Sequence, residues 1–154
     1  MPQRNSIFHY AALFAGVAIV ASVAVPSFAQ KPFLDRVKAL YSLDKNIGNC
    51  RLCHTFNSDK GEAPHDENLN KYGDAIRLSK SMDGLRKKGD EYKFKPEELD
   101  RFVEAVKSVE GADSDGDGAT NKEELALGTL PADEKNTPEK DALEKYRKEN
   151  PAKK

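Results

Sequence analysis

Cys50-Arg51-Leu52-Cys53-His54 constrains this chain more than any other stretch, because two thiols at that spacing with an imidazole directly behind them suit few chemistries. Thiols so placed can add across the two vinyl groups of a haem. The histidine that follows then lies under the iron, where neutral imidazole ligates both oxidation states. Two other readings compete. A thioredoxin-like dithiol expects a strand leading into the motif within a βαβ unit, and no strand pattern precedes Cys50. A zinc site needs further ligands, and only His65 stands close. The residues favour one covalent haem c, attached through Cys50 and Cys53 with His54 as proximal iron ligand. Export of the chain favours the same reading, since c-type attachment occurs outside the cytoplasm.

Export is read from the N-terminus. Arg4 precedes an apolar run from Ile7 to Val25, and Ser27-Phe28-Ala29 places small residues where signal peptidase needs them. Residues 1–29 are therefore expected to be a signal peptide cleaved after Ala29, giving a periplasmic or otherwise exported protein. The alternative is an uncleaved anchor, the one route by which this chain would meet a membrane, because the run is nearly long enough to cross ~30 Å of hydrocarbon. Cleavage removes Arg4 from the 25 Lys+Arg and leaves 24 against 26 Asp+Glu. That balance gives no basic bias towards nucleic acid. One third of the residues are charged and Trp is absent, so a side-chain core would be thin. A large apolar cofactor would relieve the shortage, whereas two cysteines so close together cannot close a useful disulfide loop.

Apolar spacing predicts a mostly α fold. Phe33, Val37, Leu40 and Tyr41 form one helical face ahead of the turn Asn46-Ile47-Gly48-Asn49. A second helix is expected from a cap at Asp66 to about Ser79, with Leu69, Tyr72 and Ile76 on one side. Lys80 to Tyr92 reads as a loop with room for one helical turn. The clearest helix opens at Pro96 with Glu97 and Glu98, carries Leu99, Phe102, Val106 and Val109, and stops at Gly111. A short turn follows around Glu123 to Leu127, ended by Gly128. Residues 132–154 form a charged tail in which Thr137-Pro138 can open a last helix, with few apolar groups to hold it down. These elements divide the chain into a signal at 1–29, a haem domain at 30–111, a loop segment at 112–131 and the tail.

Leu69-Asn70-Lys71-Tyr72-Gly73 follows the cysteine motif at modest distance. With both elements present, the stretch from about Asn49 to Arg77 resembles small bacterial periplasmic c-type cytochromes. The resemblance implies a cytochrome c-like helical domain around one haem, an electron-transfer role, and Leu69 and Tyr72 walling the haem. Ordinary helix packing explains those two residues equally well. For the sixth iron ligand the candidates are Met82, the only methionine after the signal, His65, which would have to wrap around the haem edge within eleven residues of His54, and a handful of lysines or tyrosines, unless the position stays open. Met82 is preferred because its loop leaves slack to cross to the opposite haem face.

The second constellation is Asp113-Ser114-Asp115-Gly116-Asp117-Gly118-Ala119-Thr120-Asn121-Lys122-Glu123-Glu124. Carboxylates at the first, third, fifth and twelfth positions with glycine at the sixth are the register of a calcium loop. Asp113, Asp115 and Asp117 would each offer an oxygen, Ala119 its carbonyl, Asn121 a side-chain or water-mediated contact, and Glu124 both oxygens. Gly118 serves the sharp turn. The pattern resembles EF-hands and, more closely, dockerin-like and thrombospondin type 3-like modules. Three departures stand out: Gly111 breaks the entering helix, Thr120 occupies the position where a paired EF-hand carries an aliphatic residue, and Leu130 replaces a common acidic one. A single unpaired site of this kind implies a structural clamp.

Together these readings lead to an expectation: a monohaem c-type cytochrome, not an enzyme, passing single electrons between redox partner proteins that dock transiently, with calcium stabilising its C-terminal segment. Two rivals remain open, a haem-based sensor or small-ligand binder, and an interaction module in which haem and calcium act as staples.

Overall fold

A computed structural model of the chain describes residues 31–62, 64, 66–85 and 93–151. The predicted signal segment and His65 lie outside the described residues. The fold is mostly helical, with five α-helices and no strand among those residues: α1 (Lys31–Tyr41), α2 (Lys71–Leu78), α3 (Pro96–Ser108), α4 (Asn121–Leu127) and α5 (Lys140–Glu149). Single 3-10 turns at Cys50–Leu52, Ser58–Lys60, Asp66–Asn68 and Lys80–Met82 fill the connections.

Helix α3 is the centre of the body, and α1, α2 and the Lys80–Met82 turn all pack on it. Its start follows from local chemistry. Pro96 sits at the first turn, where its missing N–H costs nothing. The Glu98 carboxylate accepts from the Lys95 N–H at 2.9 Å, covering a donor that the helix itself leaves open. Phe102, Ala105 and Val106 recur at helical spacing and are buried. Against them α1 lays Val37, and its Phe33 ring stacks on Phe102 with centroids 4.3 Å apart. Leu40, expected on the same apolar face, points outward at 36% exposure.

Ile47, Leu52, Tyr72, Ile76, Met82, Leu85 and Leu125 complete the core. Burying a side chain of that size is worth roughly 1.5–3 kcal/mol. Helix α5 buries none, so the C-terminal segment must be held in other ways. Helix α2 differs from its expected span, starting at Lys71 with Asn70 as its cap, because Asp66–Asn68 folds into a 3-10 turn. Among the described residues no helix is long and apolar enough to cross a membrane.

Candidate functional site

Asn49 starts the cysteine turn by accepting from the Arg51 N–H at 2.9 Å. The Cys53 and His54 N–H groups then both donate to the Cys50 carbonyl, at 3.3 and 3.0 Å, so both thiols and the imidazole sit on one turn of chain. The two cysteines are unbridged, Cys50 exposed and Cys53 partly covered. Burial, followed by the neighbouring Cys50, pushes the Cys53 thiol up to about 12. His54 is 7% exposed, and its Nδ1 lies 3.2 Å from Asn68 Oδ1. Metal-ligating histidines characteristically bind through one ring nitrogen while an oxygen braces the other.

The second sequence element is folded directly onto this turn. His54 and Leu69 form an isolated antiparallel bridge, Thr55 N–H donates to Asn68 O at 2.8 Å, and Asn70 N–H donates to Cys53 O at 2.9 Å. Asn70 also donates through Nδ2 to the carbonyls of Arg51 and Leu52, while its Oδ1 caps α2 by accepting from Gly73 N–H at 2.8 Å. A Cβ at Gly73 would stand 2.2 Å from Cys53 O, so only glycine lets α2 approach this closely. Tyr72 is fully buried and its hydroxyl has no hydrogen-bond partner. Leu69 is partly buried. Sequence reasoning missed Asn68 and Asn70 as organising residues, although an asparagine three positions before a glycine at the head of an apolar run is a readable cap signal.

The donor set therefore fits a thioether-linked haem: two unbridged thiols in one turn and a braced imidazole next to them. Met82, the preferred sixth ligand, ends the Lys80–Met82 turn and is 8% exposed within the apolar core.

In the acidic loop, Asp113, Asp115 and Asp117 come together with one carboxylate oxygen of each inside a 4.8 Å cluster. The turn that gathers them relies on Gly116 at φ +91° and Gly118 at φ +94°. Asp113 accepts from the N–H groups of Gly116 and Gly118, at 2.7 and 2.9 Å. Burial works against its ionisation, yet these bonds outweigh it and hold the carboxyl below its ordinary value. Asp115 Oδ1 accepts from Asp117 N–H and Asp117 Oδ1 from Ala119 N–H. What remains is four buried oxygens with no hydrogen-bond partner: Asp115 Oδ2, Asp117 Oδ2 and both oxygens of Glu124. Glu124 is fully buried. Burial first, and then the charges of Asp115, Asp117, Asp113 and Glu123, push its carboxyl up to about 9. Uncompensated buried carboxylates are costly unless paired or bound to a metal. Oxygen donors of this number and charge fit a calcium ion.

Asn121 has partners that the loop pattern does not show. Its Oδ1 accepts from Ser114 N–H at 3.2 Å and its Nδ2 donates to Val109 O at 2.7 Å, so the amide braces the loop's two ends. Ala119 is fully buried within the loop.

The segment read as a charged tail closes over this loop. Arg147 of α5 donates from Nε and Nη2 to the Glu123 carboxylate and from Nη2 to Gly118 O at 2.8 Å. The link from Arg147 to Glu123 did not stand out in the sequence, because a pair 24 positions apart leaves no periodic trace.

When the chain is compared with known proteins, no family model, no curated protein and no solved structure matches it.

Proposed function

We propose that this chain is an exported monohaem c-type cytochrome that passes single electrons between redox partner proteins, with calcium holding its C-terminal half in place. The observation that carries the reading is the cysteine turn, in which two unbridged thiols stand beside an imidazole braced by Asn68. Cys50 and Cys53 would hold the haem covalently, and His54 and Met82 would be its iron ligands. A bound haem c supplies a one-electron ferric/ferrous couple.

The chain's own residues have separate tasks. Asn68 fixes the His54 ring, and Asn70 and Gly73 lock α2 against the cysteine turn. No strand leads into the motif among the described residues, which the dithiol reading would require. In the calcium loop, Asp113, Asp115, Asp117, Glu124 and the Ala119 carbonyl supply the oxygens.

The test is the intact mass and absorption spectrum of the full chain produced in cells competent in c-type maturation. A mature polypeptide heavier by one haem, with a reducible low-spin spectrum lost in Cys50→Ser/Cys53→Ser, is the expected result. A bare polypeptide mass would refute the reading.

A further inference from the structure

The calcium loop and the cysteine turn are far apart in sequence, yet one carboxylate stands between them. Glu110 lies just beyond α3, shortly ahead of the loop. Its Oε1 accepts from the Tyr41 hydroxyl at 2.6 Å, and its Oε2 is 3.0 Å from Lys122 Nζ. Lys122 belongs to α4, the helix that also carries Glu124. The backbone is closed at the same place: Lys122 N–H donates to Glu110 O at 3.1 Å and Asn121 N–H to Ala112 O at 2.7 Å.

On the other side, Tyr41 is the last residue of α1, and the chain from there to Cys50 has little slack. Ser42 takes a left-handed conformation at φ +54°, and Leu43 N–H donates back to Lys38 O at 3.1 Å. Asp44 Oδ1 accepts from Asn46 and Ile47 N–H, and Gly48 N–H donates to Asp44 O at 2.7 Å. Ile47 is buried in the core, and a Cβ on Gly48 would stand 2.8 Å from Asp44 O. The position of Tyr41 is therefore passed on to Cys50 by a stiff, hydrogen-bonded arm.

We propose that calcium binding in the 113–124 loop fixes the cysteine arm, residues 42–54, through the contact chain Lys122, Glu110 and Tyr41. The proposal rests on the calcium reading of the loop and adds a regulatory link to the cysteine turn. Without a cation, the carboxylates of Asp113, Asp115 and Asp117 repel one another and nothing draws Glu124, and α4 with it, onto them. Displacement of α4 takes Lys122 from Glu110, and the Glu110 carboxylate loses the charge partner that holds it in line with the Tyr41 hydroxyl. With the ion bound, α4 is drawn onto the start of the loop and the contact chain is complete. Coupling between sites is reciprocal. Whatever fixes the arm, haem attachment through Cys50 and Cys53 included, will therefore tighten the calcium site.

The experiment is hydrogen exchange of the full chain with calcium and with chelator, alongside calorimetric calcium titration of the same samples. Chelation should speed exchange in peptides covering 42–54 about fivefold or more, the lower end of ordinary coupling between sites. The Asn57–Glu62 turn, which lies outside the contact chain, should respond little. Tyr41→Phe, which keeps the ring and removes the hydroxyl, should still bind calcium while the arm's response to it disappears. Lys122→Met should behave likewise and serves as the second variant. Calcium binding with no change in the parent arm overturns the link and leaves the loop reading intact, as would an unchanged response in both variants. If titration detects no calcium binding, the loop reading and the link fall together.

Discussion

The Arg147 guanidinium meets the Glu123 carboxylate edge to edge, with Nε 2.7 Å from Oε1 and Nη2 2.9 Å from Oε2. Two parallel charge-assisted bonds of this kind fix orientation as well as distance. Here they dock a helix that has no buried side chain of its own onto the capping box of α4, where Thr120 and Glu123 bond each other. Hydrogen bonding to Arg147, acting against burial and helped by Thr120 N–H, holds the Glu123 carboxyl down at about 2.

Arg147→Ala should therefore release α5 and lower stability by about 1 kcal/mol, a modest figure because the arginine is half exposed. A loss of that size corresponds to about 3–5 °C in melting temperature. Glu123 ionises lower in the fold than unfolded, so its contribution is complete above about pH 4.5 and is lost as pH falls towards 2. Melting curves of parent and variant should converge in that acidic range. A constant gap down to the lowest pH would show that the pair is not the source.

Glu124 has the opposite sign. In the ion-free fold its carboxyl titrates at about 9, so between pH 5 and 8 the folded chain keeps a proton that the unfolded chain has released. Stability in chelator should fall as pH rises through that window. Saturating calcium displaces the proton and should flatten the trend, with calcium affinity rising over the same range. Denaturant midpoints at several pH values, with and without calcium, check both statements; an ion-free midpoint that climbs with pH would contradict them.

Gly73→Ala should be among the most damaging single-methyl additions in the chain. The new Cβ would meet Cys53 O at 2.2 Å and Cys53 C at 3.0 Å, both backbone atoms that cannot swing away. A cost of about 2 kcal/mol or more is expected from overpacking of this kind. Gly111→Ala is the matched control, since its Cβ meets nothing within 4 Å, and it should stay within about 0.5 kcal/mol of the parent. Equal melting temperatures for the two variants would disprove the close approach of α2 to the cysteine turn.

For the sixth iron ligand the useful substitution is Met82→Leu, because Met82 is buried and truncation to Ala would cost roughly 2–5 kcal/mol of packing by itself. Leucine keeps the volume and removes the sulfur. The weak ferric band at the red end of the spectrum that thioether ligation produces should vanish while the melting temperature changes little, and His65→Ala should leave the band in place. Loss of low-spin character in the His65 variant instead would reassign the ligand.

Helices α1 and α3 were legible because their apolar residues recur at helical spacing and face each other, as the Phe33 stack on Phe102 shows. The acidic loop was legible as well, since a twelve-residue register brings three aspartates together and buries Glu124. Two features escaped for one physical reason, namely that long-range hydrogen bonds leave no period in the sequence. Asn70 starts α2 later than Asp66 would because it is tied to Arg51 and Leu52. Helix α5 is held by Arg147 reaching Glu123 and Gly118, although its own apolar content predicts almost no hold. Asn121 shows a further limit: the loop pattern gives no sign that its amide meets Ser114 and Val109.

The Tyr41 to Glu110 bond joins residues 69 positions apart, and that separation bears on the order in which the chain can assemble. From Pro96 to Glu149 the helix, the loop and the last two helices contact one another over short stretches of sequence, the kind of contact that forms fastest. Helix α1 must instead close a long loop before its contacts return anything, an entropic delay that grows with loop length. The cysteine turn has partners nearer at hand, since His54 meets Asn68 at 14 positions' separation and Arg51 meets Asn70 at 19. Both thiols can thus be gathered on their turn before α1 closes against Glu110.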